Sequence, residues 1–234
     1  PHPVCRVRHL CPALSLRGNC AEGGRSMNQK HKAATNVVIA GVGGQGSILA
    51  AHLLAQTALK EGLDVKLAET FGAATRGGSV MAHVRMGEVW APTMMEDEAD
   101  VVLSIEPLEG LRVAAQFLKP GGWALINSRP WVPVDVAVGR VEYPAMASIL
   151  DGLGKLGASV VSLDATALAL EAGTTRAANT VMLGGLFALG VLDLSEENLF
   201  GAMEERWPER LVEVNRTAYG LGYQAVSASL GETT

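Results

Sequence analysis

Four glycines fall within six residues in Gly41-Val42-Gly43-Gly44-Gln45-Gly46, between the apolar run Asn36-Val-Val-Ile-Ala40 and an Ala/Leu-rich stretch that opens at Ser47. An apolar run of strand length that feeds a bare turn and then a helix leaves backbone N–H groups of the first helical turn without carbonyl partners. Those donors and the positive end of the helix dipole form an anion site suited to a phosphate. Gly41, Gly43 and Gly46 satisfy G-x-G-x-x-G, and the pattern gains weight because the strand and helix it requires both flank it. The turn ends Gly46-Ser47 without the lysine of a P-loop, which argues against a nucleoside triphosphatase. A tight strand-to-helix turn that binds nothing is the alternative.

Three further groups of residues have chemical promise. Glu69 stands 23 residues after Gly46, at the end of a second apolar run, where a nicotinamide-binding fold would place a carboxylate on the ribose hydroxyls. Arg76-Gly77-Gly78 forms a second glycine loop with one fixed cation, and an arginine between strand ends suits a bidentate grip on phosphate or carboxylate. Arg176 and Asn179 are polar residues at the mouth of the apolar run Ala177–Leu192. There they would either extend an anion site or, in the case of Asn179, satisfy a buried backbone group. His83 has no Ser, Cys or Asp partner placed for it and reads as structural. There is no G-x-S-x-G elbow, no H-E-x-x-H and no paired-carboxylate motif, so neither catalytic nor metal-ligating residues are assigned.

The elements that must hold these groups alternate. A helix is expected over 47–60 and a buried strand over Val65–Glu69, paired in parallel with the first strand through a right-handed crossover. Ser79 to Met86 alternate apolar and polar, the period of a half-buried strand, and Gly87-Glu88 suits a two-residue hairpin turn into Val89-Trp90. Asp100–Glu106 reads as a strand buried on both faces. Pro107 then opens a helix striped by Leu108, Leu111, Ala115 and Leu118, and Lys119-Pro-Gly-Gly122 ends it. Strands at Trp123–Asn127 and Ser159–Leu163, an edge strand within Val134–Tyr143, a helix near 145–156 and a helix capped by Asp164 continue the pattern. From Thr174 the chain reads as helical only. Ser195 caps a helix carrying Leu199, Met203 and Trp207, and Pro208 opens a last helix striped by Leu211, Val214, Ala218 and Leu221. The expected fold is α/β, a three-layer Rossmann-like arrangement around a mixed, mostly parallel sheet with a helical C-terminal segment.

Composition narrows the class. The chain is 48% hydrophobic and 18% charged with a mean hydropathy of +0.22, yet its uncharged apolar run Ala177–Leu192 is 16 residues and is broken by Asn179 and Gly184-Gly185. That run is too short to span a bilayer and reads as a buried helix. The net charge is −5. The first 26 residues hold four arginines and one glutamate, so the remainder carries 15 basic and 23 acidic side chains, a formal −8 that argues against nucleic acid. Cys5, Cys11 and Cys20 are the only cysteines, with spacings that match no zinc pattern. From Met27 onward the chain can neither ligate an iron–sulfur cluster nor form a disulfide, and a reduced, cytoplasmic setting is expected. Met27 reads as a natural start. The expected division is an N-terminal extension over 1–34, one domain over 35–224 and a tail over 225–234.

Gly41-Val-Gly-Gly-Gln-Gly46 and Glu69-Thr-Phe-Gly-Ala-Ala-Thr-Arg-Gly-Gly-Ser-Val-Met-Ala-His-Val-Arg85 together resemble the gamma-type module of 2-oxoacid:ferredoxin oxidoreductases. Asp164-Ala-Thr-Ala-Leu-Ala, Arg176-Ala-Ala-Asn-Thr-Val-Met-Leu-Gly184 and Glu213-Val-Asn-Arg-Thr-Ala218 fit the same pattern, over roughly residues 35–224, and most resemble the beta subunits of the indolepyruvate enzymes. The resemblance implies a non-redox subunit, inactive alone, of a complex that oxidatively decarboxylates a 2-oxo acid to an acyl-CoA. Thiamine diphosphate, Mg and [4Fe-4S] clusters would sit on a larger partner subunit, and ferredoxin would be reached through the complex. CoA would bind here. The turn Gly41–Gly46 with Gln45 and Ser47 would meet its phosphates, Arg76 with Gly77 and Gly78 would supply the cation, and Arg176 and Asn179 would line the same site. The pyruvate enzymes carry a lysine pair before the Gly-Gly, where this chain has Arg76 alone. Their Arg and Asn also stand one residue closer than Arg176 and Asn179. A free-standing NAD(P)-binding oxidoreductase using Gly41, Gly43, Gly46 and Glu69 is the alternative from another class.

Overall fold

Val37, Val38 and Ile39 are β-branched and wholly buried, the composition of a strand covered on both faces. They lie in β1 (Thr35–Val42), inside the six-stranded sheet of a computed structural model that describes residues 34–72, 77–131, 136, 138–139 and 142–231. Strands β2 (Val65–Phe71), β3 (Ser79–Met86), β4 (Ala99–Ser104), β5 (Leu118–Asn127) and β6 (Ser159–Leu163) complete the sheet in the order β2-β3-β1-β4-β5-β6. β1, β4, β5 and β6 pair in parallel, whereas β3 is antiparallel to both β1 and β2. Seven α-helices accompany the sheet among the described residues. They are α1 (Ser47–Lys60), α2 (Pro107–Phe117), α3 (Met146–Lys155), α4 (Ala165–Glu171), α5 (Ala178–Ala188), α6 (Glu196–Glu204) and α7 (Glu209–Gly231). Alternate residues sort the layers. Val37, Ile39, Val101, Leu103 and Leu125 face the core built with α1 and α4 to α7, and Val38, Ala40, Val102, Ala124 and Ile126 face α2 and α3. The three-layer, mostly parallel α/β fold is the one expected.

Several local expectations are corrected. β1 and β2 do not pair, because β3 is inserted between them and the glycine loop carrying Gly77 and Gly78 closes a β2–β3 hairpin. No hairpin forms at Gly87-Glu88. The Gly87 N–H donates to the Asp64 carbonyl at 2.8 Å, and Val89 and Trp90 are not in a strand. The α2 stripe is offset, with Gly110, Val113, Ala114 and Phe117 buried while Ala115 is exposed. In α7 the buried residues are Val212, Ala218, Tyr219, Gly222 and Val226, and Leu211 is exposed. Helix α7 also runs past residue 224 to Gly231, with Val226 fully buried. The edge strand expected within Val134–Tyr143 lies largely outside the described residues, and Tyr143 is not in a strand.

Helix α5 is apolar all round because it is buried all round, from Ala178 to Leu186. No helix of the described residues is long and apolar enough to cross a membrane. Helices α5 and α7 cross with backbones almost touching. A Cβ added at Gly184 would lie 2.0 Å from the Tyr219 carbonyl oxygen, and one at Gly222 would lie 1.9 Å from that of Val181. The contact needs glycine at both positions, since any side chain would force the helices apart.

At the carboxyl end of β4, Glu106 is fully buried. It caps α2, accepting from the Glu109 N–H at 2.8 Å, and also accepts from the Tyr143 hydroxyl. Burial pushes its carboxyl above the usual range, and the hydrogen bonds it accepts offset this only in part. Beside it, Ser79 donates to Glu109 at 2.6 Å and Arg112 donates to both, which anchors α2 against the start of β3.

Two measurements test this packing. Gly222→Ala is expected to destabilise the chain by about 2–4 kcal/mol in chemical denaturation, whereas Gly220→Ala, with open space at its Cβ, gains about 0.5–1 kcal/mol from helix propensity. Because the folded chain holds the Glu106 proton more tightly than the unfolded chain, this group's contribution is fully present below its unfolded pKa and is lost as pH rises through the raised folded value. Unfolding free energy relative to Glu106→Gln should therefore fall across that window, and a pH-independent difference would refute the assignment.

Candidate functional site

Strand β1 is hydrogen-bonded on both edges and covered on both faces, so the chain can leave it only by a sharp turn at its carboxyl end. Gly44 and Gly46 take the left-handed conformations that this turn requires, with φ of 106° and 84°. Gly46 is also the N-cap of α1 and provides no side-chain cap. The N–H groups of Ser47, Ile48 and Leu49 therefore open onto the loop without intrahelical carbonyls, while the Ala50 N–H already reaches Gly46 at 3.0 Å. Ser47 is 2% exposed, and among the described residues its hydroxyl has no hydrogen-bond partner. The turn is a rigid, bare cradle of donors.

Four sets of contacts hold it. Gln45 folds back, its Oε1 accepting from the Val42 N–H at 2.9 Å and its Nε2 donating to the Ile105 carbonyl at 3.2 Å. Asn127, at the end of β5, donates to that same Ile105 carbonyl at 3.0 Å and accepts from the Ala165 N–H at 3.0 Å, which ties three strand ends to the start of α4. The Gly43 N–H donates to the Gly78 carbonyl at 2.8 Å, and the Gly77 N–H donates to the Gly43 carbonyl at 3.2 Å, so the two glycine loops are clasped backbone to backbone. Asn179, in the first turn of α5, donates to the Gly46 carbonyl at 3.3 Å, and a Cβ at Gly46 would lie 2.8 Å from that amide. Asn179 therefore braces a half-buried backbone carbonyl of the turn, one that already accepts from the Ala50 N–H.

Two clefts flank the loop. The first, of about 580 Å³, is lined by Val42, Ile48, Phe71 and Val80 and by the backbones of Gly43, Gly44 and Gly46. The second, of about 670 Å³, shares Gly44 and Gly46 and lies at the carboxyl ends of β1, β4 and β5, the usual place for a ligand in an open α/β sheet. Its lining includes Arg129, Trp131, Thr166, Thr175, Arg176 and Asn179, with no carboxylate among the described residues. Arg129 and Arg176 are exposed and form no salt bridge among the described residues. In a chain of net charge −5, two guanidiniums in one concave site, neither in a salt bridge among the described residues, favour an anionic ligand.

The structure therefore gathers Gly41, Gly43, Gly44, Gln45, Gly46, Ser47, Gly77, Gly78, Arg176 and Asn179 at one end of the sheet. Arg76 lies outside the described residues. Glu69 lines neither cleft. β3 separates its strand from β1, and its carboxylate is held by His52 at 2.5 Å, which removes the geometric basis for a ribose carboxylate. His83 is structural. It is buried edge-on to the Phe117 ring, its Nδ1 accepts from the Met94 N–H at 3.3 Å, and burial followed by the Arg85 charge holds its pKa below the usual histidine range. Arg129 and Trp131 were not foreseen. The signal was a cation and an aromatic in Asn127-Ser-Arg-Pro-Trp131, just past the end of a buried strand.

Comparison with known proteins agrees with this architecture. Residues 36–225 match the family model described as pyruvate ferredoxin/flavodoxin oxidoreductase. The indolepyruvate oxidoreductase subunit IorB of Thermococcus kodakarensis is 40% identical over 202 residues, covering 84% of this chain and 98% of that protein. The crystal structure of the gamma subunit of a keto/oxoacid ferredoxin oxidoreductase from Geobacter sulfurreducens aligns with a TM-score of 0.60 at 25% identity, over 83% of this chain and 99% of the other. A 2-oxoglutarate:ferredoxin oxidoreductase from Magnetococcus marinus, solved with 2-oxoglutarate, coenzyme A and succinyl-CoA bound, shares the fold at 22% identity and a TM-score of 0.65. It does so over 84% of this chain and 32% of that longer one. On a match spanning nearly all the described residues, the chain belongs to the pyruvate ferredoxin/flavodoxin oxidoreductase family, in its small, gamma-type form.

Proposed function

We propose that this chain is the non-redox small subunit of a thiamine-diphosphate-dependent 2-oxoacid:ferredoxin oxidoreductase acting on an aryl pyruvate such as indolepyruvate, and that it binds the CoA that accepts the acyl group. The observation that carries the reading is the bare glycine cradle at the start of α1 beside a cleft with two guanidiniums unpaired among the described residues. A pyrophosphate over Gly43 to Ser47 would meet backbone N–H donors and the helix dipole, with Arg176 reaching it from the second cleft and Asn179 fixing the height of Gly46. Holding the acyl acceptor in one orientation turns an encounter from solution into a step within the complex.

The iron–sulfur clusters of such a reaction find no ligands in residues 27–234. A [4Fe-4S] cluster needs cysteine thiolates, and residues 27–234 contain none. Among the described residues no cluster of three His, Cys, Asp or Glu side chains could hold a metal ion. In this reading thiamine diphosphate, Mg and the clusters belong to a larger partner subunit, through which ferredoxin is reached. Thiamine diphosphate supplies the decarboxylation there. What this chain contributes is binding, orientation and assembly.

With the complex assembled from both subunits, Arg176→Ala is expected to raise the KM for CoA roughly 10- to 100-fold, the loss of one charge-assisted phosphate contact, while the KM for the 2-oxo acid stays unchanged. Asn179→Ala should raise the KM for CoA in the same sense. NADH should leave the tryptophan fluorescence of the complex unaltered. Unchanged CoA kinetics in both variants, or stoichiometric NADH binding, would overturn the reading.

A further inference from the structure

Trp90 is 97% exposed and Met95 75% exposed, both on the loop of residues 87–98 that joins β3 to β4. An indole left in water forgoes the burial that an aromatic side chain ordinarily gains. Slackness does not explain it, because the loop is fastened along its length. Val89 and Met94 are buried on either side of the exposed tip 90–93. Arg85 donates to the Thr93 carbonyl at 2.8 Å and the Ala91 carbonyl at 3.4 Å, and pairs with Glu98 at 3.2 Å. The Met94 N–H reaches His83 at 3.3 Å, and the Met95 N–H reaches Glu98 at 2.9 Å. Asp97 turns the chain through a left-handed φ of 58°, its N–H donating to the Gln116 carbonyl at 3.4 Å. A fixed scaffold thus presents both apolar side chains outward, and an anchor held in place before contact loses little freedom on binding.

The loop is also acidic. Between Met86 and Ala99 it carries Glu88, Glu96, Asp97 and Glu98, with no lysine, arginine or histidine. Glu98 is engaged by Arg85, whereas Glu96 and Asp97 are exposed next to Met95 and in no salt bridge among the described residues. An exposed tryptophan and methionine rimmed by carboxylates have the anatomy of an interface anchor with a charged border. Resting on the reading above that this chain works on a larger partner subunit, we propose that this loop is its plug into that subunit. Trp90 and Met95 enter an apolar socket, and lysines or arginines around the socket meet Glu96 and Asp97. A second copy of this chain is a poorer occupant, since a two-fold contact through the loop would set its carboxylates against their own counterparts. The loop leaves β3 beyond the Asn36–Arg85 and Thr35–Met86 pairs, at the amino end of β1, whereas the glycine turn follows the carboxyl end. Docking there holds the chain without covering the cradle.

Recombining the separately purified subunits tests the assignment. Trp90→Ser should weaken their association roughly 30-fold or more by calorimetry. Glu96→Lys should slow association and flatten its dependence on salt. Both variants should unfold at the wild-type denaturant concentration, since both side chains are exposed. At concentrations that restore full assembly of Trp90→Ser, the KM for CoA should equal that of the wild type. Acrylamide quenching, read as the difference between wild type and Trp90→Phe, identifies the occupant. Trp90 should be quenched freely in the isolated chain and protected in the complex. Protection that grows with the concentration of the isolated chain would assign the loop to a second copy. Protection in the isolated chain at every dilution would assign it to residues 1–33, which carry six lysines and arginines against one glutamate. Either result, or an unchanged affinity for Trp90→Ser, overturns the proposal. Failure of the wild-type chain to assemble with a thiamine- and cluster-bearing subunit at all would instead remove the reading beneath it.

Discussion

Enclosure of β1 governs the rest of the molecule. The strand is bonded by β3 on one edge and β4 on the other, with α1 packed over one face and α2 over the other. Its last residues have no sideways exit, so the chain must reverse through glycine conformations within a few residues. The same enclosure explains why the donors of α1 remain unspent. No capping side chain fits where Gly46 lies against Asn179, and the Gln45 amide is consumed in fixing the loop. A site built this way is preorganised, since Gln45, Asn127 and the Gly43–Gly78 clasp set its shape without help from a ligand.

Much of this was legible in the residues. The turn, α1 and the alternation of strands and helices follow from apolar periodicity and glycine spacing, and the caps at Asp164 and Ser195 accept from Ala167 and Asn198 as their types predict. The place of β3 was not legible. Consecutive strands joined by a helix read as a parallel pair, and nothing local in Ser79–Met86 says that it enters between them. The faces of α2 and α7 were misjudged for a different reason. A hydrophobic stripe is read from leucines, whereas closely approached faces are made of glycine and alanine, as at Gly110 and Ala114 or Ala218 and Gly222. Small residues carry little hydrophobic signal yet permit the shortest interhelical distances.

The site divides along the same line. Motif residues within one turn of chain could be found from spacing, and the structure brings most of them together. Residues contributed from elsewhere could not be. Arg129 and Trp131 reach the cleft only because β5 ends beside β4, a fact of sheet order, and Glu69 is drawn away because His52 on α1 offers a nearer partner. A carboxylate already held by a neighbouring side chain is consumed locally, whereas Arg129 and Arg176 form no salt bridge among the described residues.

The amide of Asn179 has a consequence beyond the loop. It sits on the first turn of a helix whose later turn, at Gly184, is interlocked with the long C-terminal helix through main-chain atoms. Any sliding of that helix pair lifts the amide from Gly46, so the pitch of the C-terminal bundle and the shape of the phosphate cradle form a single mechanical lever.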